Sequence, residues 1–282
     1  DKSMKLGSQK YLNIAEDDSD TKTVLDFGDG YRIARLLTTQ ALKIESGHMG
    51  HCVGKGSYDE GVEDGSIEIY SLRDKYNKQH ATFEIHPKDN TLKQCKGKEN
   101  RPPISKYFPY VQKFVTQNKF KLSERPSHTG LIEQDGIYYD INNLPKNLHW
   151  RGYLDLQDTN ITALPDNLTV DGGLDLRDTN ITALGDNLTI GGYLDLQGTQ
   201  ITTLPDNLTV GGYLNLIGTQ ITTLPDNLTV GSNLNLCRTN ITTLPDNLTV
   251  GGNLDLFGTQ ITTLPDNLTV GGNLYLRGTK IT

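Results

Sequence analysis

Two hydrophobic rhythms divide this chain. From Leu144 onward the apolar positions recur every twenty residues, with Leu144, Leu164, Leu184, Leu204, Leu224, Leu244 and Leu264 opening successive units. Within a unit the apolar places are fixed, as in Leu204, Leu208, Val210, Leu214, Leu216 and Ile221. Leu208-x-Val210 and Leu214-x-Leu216 alternate with period two, so short strands should point these side chains inward. Gly211-Gly212 separates the two strands, and Pro205-Asp206-Asn207 reads as a turn on the opposite edge. A fixed period of this length predicts a solenoid, in which each unit buries its apolar edge only against its neighbours. Residues 141–282 hold about seven such units. Solenoids offer long ligand-facing surfaces, so this half reads as the part that binds, and chemistry falls to the other half.

Ahead of Leu144 the rhythm is mixed. Val24–Phe27 and Tyr31–Leu37 read as strands joined by Gly28-Asp29-Gly30, and Thr38 or Thr39 caps a short helix ending at Gly47. Ile67–Leu72, Ala81–His86 and Thr91–Lys96 read as three more strands. A helix follows from Ser105 to Asn118, with Tyr107, Val111, Phe114 and Val115 on one side. Lys119–Tyr139 reads as a lead into the first repeat. The expectation is an α+β domain over residues 1–140 and a β-rich solenoid over 141–282.

The stretch Leu214-Asn215-Leu216-Ile217-Gly218-Thr219-Gln220-Ile221 resembles the leucine-rich-repeat signature Leu-x-Leu-x-x-Asn-x-Leu. Thr219 stands where that family has Asn, and Thr fills the column from Thr159 to Thr279. A ladder of Thr hydroxyls bonding the backbone then replaces the Asn ladder, and a parallel β-helix of about three short strands per turn stays open as the alternative fold.

Outward columns carry the information about partners. One runs Asp155, Asp175, Asp195, Asn215, Asn235, Asp255, Tyr275; a second runs Gln157, Arg177, Gln197, Ile217, Cys237, Phe257, Arg277; a third runs Tyr153, Gly173, Tyr193, Tyr213, Asn233, Asn253, Asn273. Ile217, Cys237 and Phe257, flanked by Tyr193 and Tyr213, have the make-up of an interface centre with a polar rim for a protein partner. Free drift of solvated positions is the plain alternative. Six turn aspartates, Asp166 to Asp266, suggest Ca²⁺, but their spacing differs from the calcium repeat, and Asx turns account for them. No metal is expected there, nor any cofactor in the chain.

Charge sharpens the division. Residues 1–140 carry 21 Lys+Arg against 21 Asp+Glu, and the repeats carry 6 against 13, so the net charge of -7 lies on the solenoid. Phosphates are repelled by such a surface, which argues against nucleic acid as the solenoid's ligand. Cys52, Cys95 and Cys237 are sparse and odd in number, which suits a reducing cytoplasm, although secretion as an effector stays open. No apolar run approaches the length of a membrane span. The chain begins at Asp1 without Met and stops inside a unit, as a fragment would.

The densest chemistry is Gly47-His48-Met49-Gly50-His51-Cys52-Val53-Gly54-Lys55-Gly56-Ser57-Tyr58, where glycines let backbone approach a ligand around a His-Cys pair. Met49-Gly50-His51-Cys52-Val53-Gly54, Ile69-Tyr70-Ser71-Leu72-Arg73-Asp74, Ala81-Thr82-Phe83-Glu84-Ile85 and Gln94-x-x-Gly97-x-x-Asn100 resemble, in order, the PcfJ-like domain family of conjugative plasmids, phages and related mobile elements. The resemblance covers about residues 24–118 and implies that His51, Cys52, Ser71, Arg73, Glu84, Gln94 and Asn100 are the positions to test. The loop leading to Tyr58 is longer than in relatives.

Three readings of these residues compete. In one, Cys52 is a nucleophile, with His51 or, better placed along its strand, His80 as base, Glu84 as orienting group and Arg73 in the same site. In another, His48, His51, Cys52 and Cys95 hold Zn²⁺, although no paired Cys-x-x-Cys half is present. In the third, Cys52 is a small buried residue and the polar set is a satisfied network. Separately, Lys88 to Lys106 holds six cations against two acids, with Tyr107 and Tyr110 as stacking groups, a weak signal for nucleic acid against a plainly solvated face. The functional expectation is an interaction protein of a mobile element or phage; the alternatives are a Cys/His-dependent hydrolase and a secreted effector that recognises substrate through its repeats.

Overall fold

A computed structural model describes residues 19–281. The chain divides into two compact units, Asp1–Asp140 and Ile141–Thr282.

In the amino-terminal unit, β1 (Thr21–Asp26), β2 (Arg32–Leu36), β3 (Glu68–Arg73), β4 (Gln79–His86), β5 (Thr91–Lys96) and β6 (Lys121–Leu122) form one sheet in sequence order. The first five pair antiparallel, and β6 adds in parallel to β5. That parallel pairing requires a crossover, and helix α3 (Phe108–Asn118) supplies it after a 3-10 turn at Ser105–Tyr107. Val111, Phe114 and Val115 of α3 pack on Ile33, Leu72, Ala81, Phe83, Ile85 and Leu92, all nearly solvent-free. Helix α1 (Thr39–Met49) packs in a smaller apolar cluster of Leu36, Ala41, Leu42 and Ile69, with Val62 of the short helix α2 (Asp59–Glu63) beside it. Thr38 caps α1 by accepting from the Ala41 amide at 3.2 Å. The helix ends at Gly50, whose φ of 70° suits glycine, rather than at Gly47.

The segment read as a lead into the repeats is structured. It holds β6, helix α4 (Pro126–Thr129) and a hairpin of β7 (Leu131–Gln134) and β8 (Ile137–Asp140). Tyr138 anchors that hairpin by donating its hydroxyl to the Phe120 carbonyl at 2.5 Å.

The carboxy-terminal unit is a β-solenoid with two parallel ladders. One sheet stacks Leu154–Asp155 and its equivalents through Leu274–Tyr275; the other stacks His149–Trp150 through Thr269–Val270. Each has seven strands in exact twenty-residue register. The Leu-x-Leu columns lie inward as the period demands, with Leu174, Leu176, Leu194, Leu196 and Leu216 at 0 % exposure. A second strand stands where many leucine-rich repeats carry a helix, so the fold joins the leucine-rich-repeat pattern to the parallel-helix alternative. The third corner has, among the described residues, one isolated bridge, Ala163 to Ala183.

The Thr column is a ladder in fact. Thr159, Thr179, Thr199, Thr219, Thr239 and Thr259 each donate a hydroxyl to the carbonyl of the Leu three residues back, at 2.7–2.9 Å. Asn side chains also stack, but on the turn edge: Asn167 donates to Asn147, and Asn187 to Asn167, at 2.8 and 2.9 Å.

Between them lies a column that the apolar pattern conceals. Asp158, Asp178, Gly198, Gly218, Arg238, Gly258 and Gly278 all have φ between 56° and 77°. Glycine and Asp tolerate this left-handed geometry, whereas the Arg238 Cβ crowds its own carbonyl. Arg238→Gly is therefore expected to stabilise the solenoid by about 1 kcal/mol. A higher urea midpoint, read by fluorescence of the buried Trp150, checks this.

Candidate functional site

Four separated stretches of the sequence meet between α1 and the sheet. Past Gly50, His51 leads into a 3-10 turn, Cys52–Gly54, that lies against α1. The Ser46 hydroxyl donates to the His51 carbonyl and ties this turn to the helix. His51, Cys52, Tyr58, Thr82, Glu84, Gln94 and Asn100 line one small cleft. Its free volume is about 20 Å³, room for a single water.

Behind the cleft is a buried polar chain. Glu45 is 0 % exposed on α1, facing the sheet. One carboxylate oxygen accepts from the Thr82 hydroxyl at 2.7 Å, and the other from Arg73 at 3.2 Å. Arg73 also donates to Ser71 at 3.2 Å and to Asn77 at 3.1 Å. His51 Nε2 lies 2.8 Å from Thr82 Oγ1. Since the Thr82 proton goes to Glu45, His51 Nε2 must donate, which leaves Nδ1 as a bare acceptor. That buried atom has no partner. Desolvation holds the His51 imidazole below its ordinary pKa, which favours the neutral form. Desolvation also pushes Glu45 above the usual carboxylate range, against the opposing pull of Arg73.

The catalytic reading of the sequence is rearranged by this geometry. Cys52 is exposed, and its neighbour is the Tyr58 hydroxyl, which donates to Glu84 at 3.1 Å. Glu84 is thus engaged by Tyr58 and by His86, at 2.9 Å, and does not orient His80. His80 bonds Asp74 at 3.0 Å, stacks on Tyr107 at 4.3 Å and lines a different hollow, so it is no base for Cys52. Arg73 is 3 % exposed and braces Glu45 from behind, outside the cleft lining. The zinc set also disperses. Cys95 lies in the apolar core on the α3 side, where burial pushes its thiol up to about 12, and His48 bonds Gln79 at 3.0 Å. Among the described residues no three His, Cys, Asp or Glu side chains are grouped for a metal.

Glu45 and Thr82, the centre of the buried chain, were not singled out from the sequence as site residues. One signal points to Glu45: Ala41, Glu45 and Met49 occupy one helical stripe at four-residue spacing, with a carboxylate where an apolar side chain belongs.

The run of cations from Lys88 to Lys106 is split in space. Lys96 is half-buried and donates to the Ser127 carbonyl at 2.8 Å, and burial lowers its pKa. Lys98 and Arg101 line the hollow that His80 lines, and Lys88 sits at the far end of β4.

On the solenoid, Ile217, Cys237 and Phe257 occupy one outward column on three successive turns, each partly exposed. Tyr193 is 37 % exposed in the neighbouring column, and Tyr213 is partly buried there. Arg277 lies over the Phe257 ring at 5.9 Å. Burial, then a bond to Asp255, pushes the Cys237 thiol up to about 11, so it stays protonated. The Asp/Asn column between them is structural: Asp155, Asp175, Asp195, Asn215, Asn235 and Asp255 each accept from the backbone amide two residues on, at 2.9–3.1 Å. Free variation on this face is thereby confined to the other two columns.

The family model described as PcfJ-like protein matches residues 3–111. The amino-terminal unit therefore carries a PcfJ-like domain, and the repeats lie beyond the match. No curated protein and no solved structure matches the chain.

Proposed function

We propose, from a PcfJ-like domain at residues 3–111 followed by a twenty-residue repeat solenoid, that this protein is an interaction module of a bacterial mobile element or phage. The solenoid holds a protein partner, and the PcfJ-like domain acts on that partner or docks to it. One observation carries the reading: Ile217, Cys237 and Phe257 stack on consecutive turns as a partly exposed apolar stripe, with tyrosines beside it and polar side chains around it. Such a centre is what a desolvated contact needs, while the motif cleft of about 20 Å³ is too small to admit a substrate as it stands. The mobile-element setting rests on the family alone. No helix among the described residues is long and apolar enough to cross a membrane.

A photo-crosslinking residue at position 257, compared with one at the exposed turn position Asp226, tests the surface. A discrete protein adduct from 257 alone is expected. Alanine at Tyr213, Ile217 and Phe257 together should weaken capture of that protein by about thirtyfold, some 2 kcal/mol. The same adduct from position 226, or unchanged capture by the triple variant, would refute the reading.

Cys52-dependent hydrolysis is the second reading. What favours it is the exposed thiol sharing a cleft with His51, whose Nδ1 is a buried acceptor without a partner. Cys52→Ala that left every cellular effect of the protein intact would remove it.

A further inference from the structure

A second hollow in the amino-terminal unit, far larger than the motif cleft, shares no lining residue with it. It encloses about 950 Å³, within the range of small-molecule sites. The end of α1, the β3–β4 connection and the segment from Gly97 to Tyr107 form its walls. Three cations line it, Lys78, Lys98 and Arg101, against one carboxylate, Glu99, which pairs with Arg101 at 3.3 Å. Lys78 comes from the β3–β4 connection, so the fold has gathered positive charge that no single run of the sequence shows. The aromatic planes are fixed: the His80 ring is tied to Asp74 at 3.0 Å and stacked on Tyr107 at 4.3 Å and 27°. Tyr76 presents a half-exposed ring in the same lining. The Gln79 amide oxygen can only accept, so His48 Nδ1 donates to it, and in the tautomer this selects Nε2 is an acceptor.

We propose that this cavity binds nucleotides, with Lys78, Lys98 and Arg101 taking phosphate and with the half-exposed Tyr76 ring taking the base. Lysine and arginine neutralise phosphates, aromatic planes accept any base by stacking, and an imidazole acceptor suits an exocyclic amino group. General attraction cannot supply the affinity, because the chain is acidic at -7. This inference is independent of the solenoid's partner.

Fluorescence anisotropy of the full chain with a labelled single-stranded oligodeoxynucleotide of about twelve residues, with nucleoside monophosphates as competitors, tests it. Saturable binding at low salt is expected, falling steeply as salt rises. Lys78→Ala, Lys98→Ala and Arg101→Ala combined should weaken it by at least about tenfold, and Tyr76→Ala alone by a similar factor. All four side chains are exposed, so folding is not at stake. A matched control removes the exposed Lys22, Lys88 and Lys121, which lie outside the lining, and should change affinity by less than about twofold. Tight oligonucleotide binding with these dependences identifies a strand as the source of the nucleotide; binding of monophosphates alone identifies free nucleotide. Equal losses in the two triple variants, or no saturable binding of either probe, would overturn the proposal.

Discussion

Arg73→Met lowers the stability of the amino-terminal unit by about 4 kcal/mol, because it strands a carboxylate that nothing else neutralises. Glu45 is 0 % exposed, and Arg73, 3.2 Å away and 3 % exposed, is its counter-charge. The remaining bonds to Glu45 come from neutral hydroxyls, Thr82 and Ser71. These cannot replace a guanidinium in a dry interior. Removing both partners is a different experiment: Glu45→Leu with Arg73→Met replaces the pair by apolar groups and is expected to cost less than Arg73→Met alone. Cys95, 1 % exposed in the same unit, reports opening. Its alkylation across a urea series, resolved by mass spectrometry, should begin at much lower urea in Arg73→Met. An unchanged midpoint would mean that Glu45 is stabilised by something other than this ion pair.

The same pair makes a pH prediction with a definite sign. Burial raises the pKa of Glu45 in the folded state above its unfolded value. The folded chain then binds more protons than the unfolded chain between those two values, so stability falls as pH rises through the window. The contribution of Glu45 is fully present below about pH 4.5, the ordinary carboxylate value, and is lost as pH rises through its raised folded-state pKa. Glu45→Gln should flatten that slope, and Arg73→Met should steepen it by extending the window upward.

The solenoid was legible because its signal is repeated: a period shared by seven units averages out every local exception, and inward leucines follow from alternation alone. What the columns could not disclose was backbone sign. The left-handed column mixes Asp, Gly and Arg238, three residue types with no common hydropathy, and only the dihedral angles unite them. The outward Asp/Asn column looked like a reading surface because Asx side chains are polar. Their use on their own backbone, two residues ahead, is a local geometry that a hydropathy pattern does not carry. In the amino-terminal unit, the motif blocks located the cleft, with His51, Cys52, Glu84, Gln94 and Asn100 converging as lining. Roles within it were less legible. Alternation along β4 would put His80, Thr82 and Glu84 on one side of the strand, but a register shift, with Ala81 opposite Leu72 and Gln79 opposite Arg73, breaks the alternation at His80. Thr82 meets Glu45 and His51, whereas His80 lies past the end of α1 against Tyr107.

Gly54→Ala should destabilise the amino-terminal unit by about 3 kcal/mol and displace His51 and Cys52 with it. A Cβ on Gly54 would stand 2.6 Å from the Leu42 carbonyl oxygen, 2.7 Å from Lys43 Cα and 2.8 Å from Ser46 Cβ. All three atoms belong to α1, and none is the end of a flexible side chain, so the 3-10 turn must lift from the helix. Lifting breaks the bond from the Ser46 hydroxyl to the His51 carbonyl and draws the imidazole away from Thr82. Gly47 provides the contrast: it lies inside α1, and a Cβ there meets nothing within 4 Å. Gly47→Ala should therefore stabilise the helix by about 0.5–1 kcal/mol. Cys95 alkylation in urea measures both variants, and the imidazole ¹⁵N resonances of His51 report whether Nε2 still carries its proton toward Thr82. If Gly54→Ala left the urea midpoint and the His51 tautomer unchanged, close approach to α1 would not be what this position demands. The motif glycine is then a mechanical part: it sets the distance at which His51 and Cys52 can stand over the sheet, and through His51 it connects the cleft to the buried charge of Glu45.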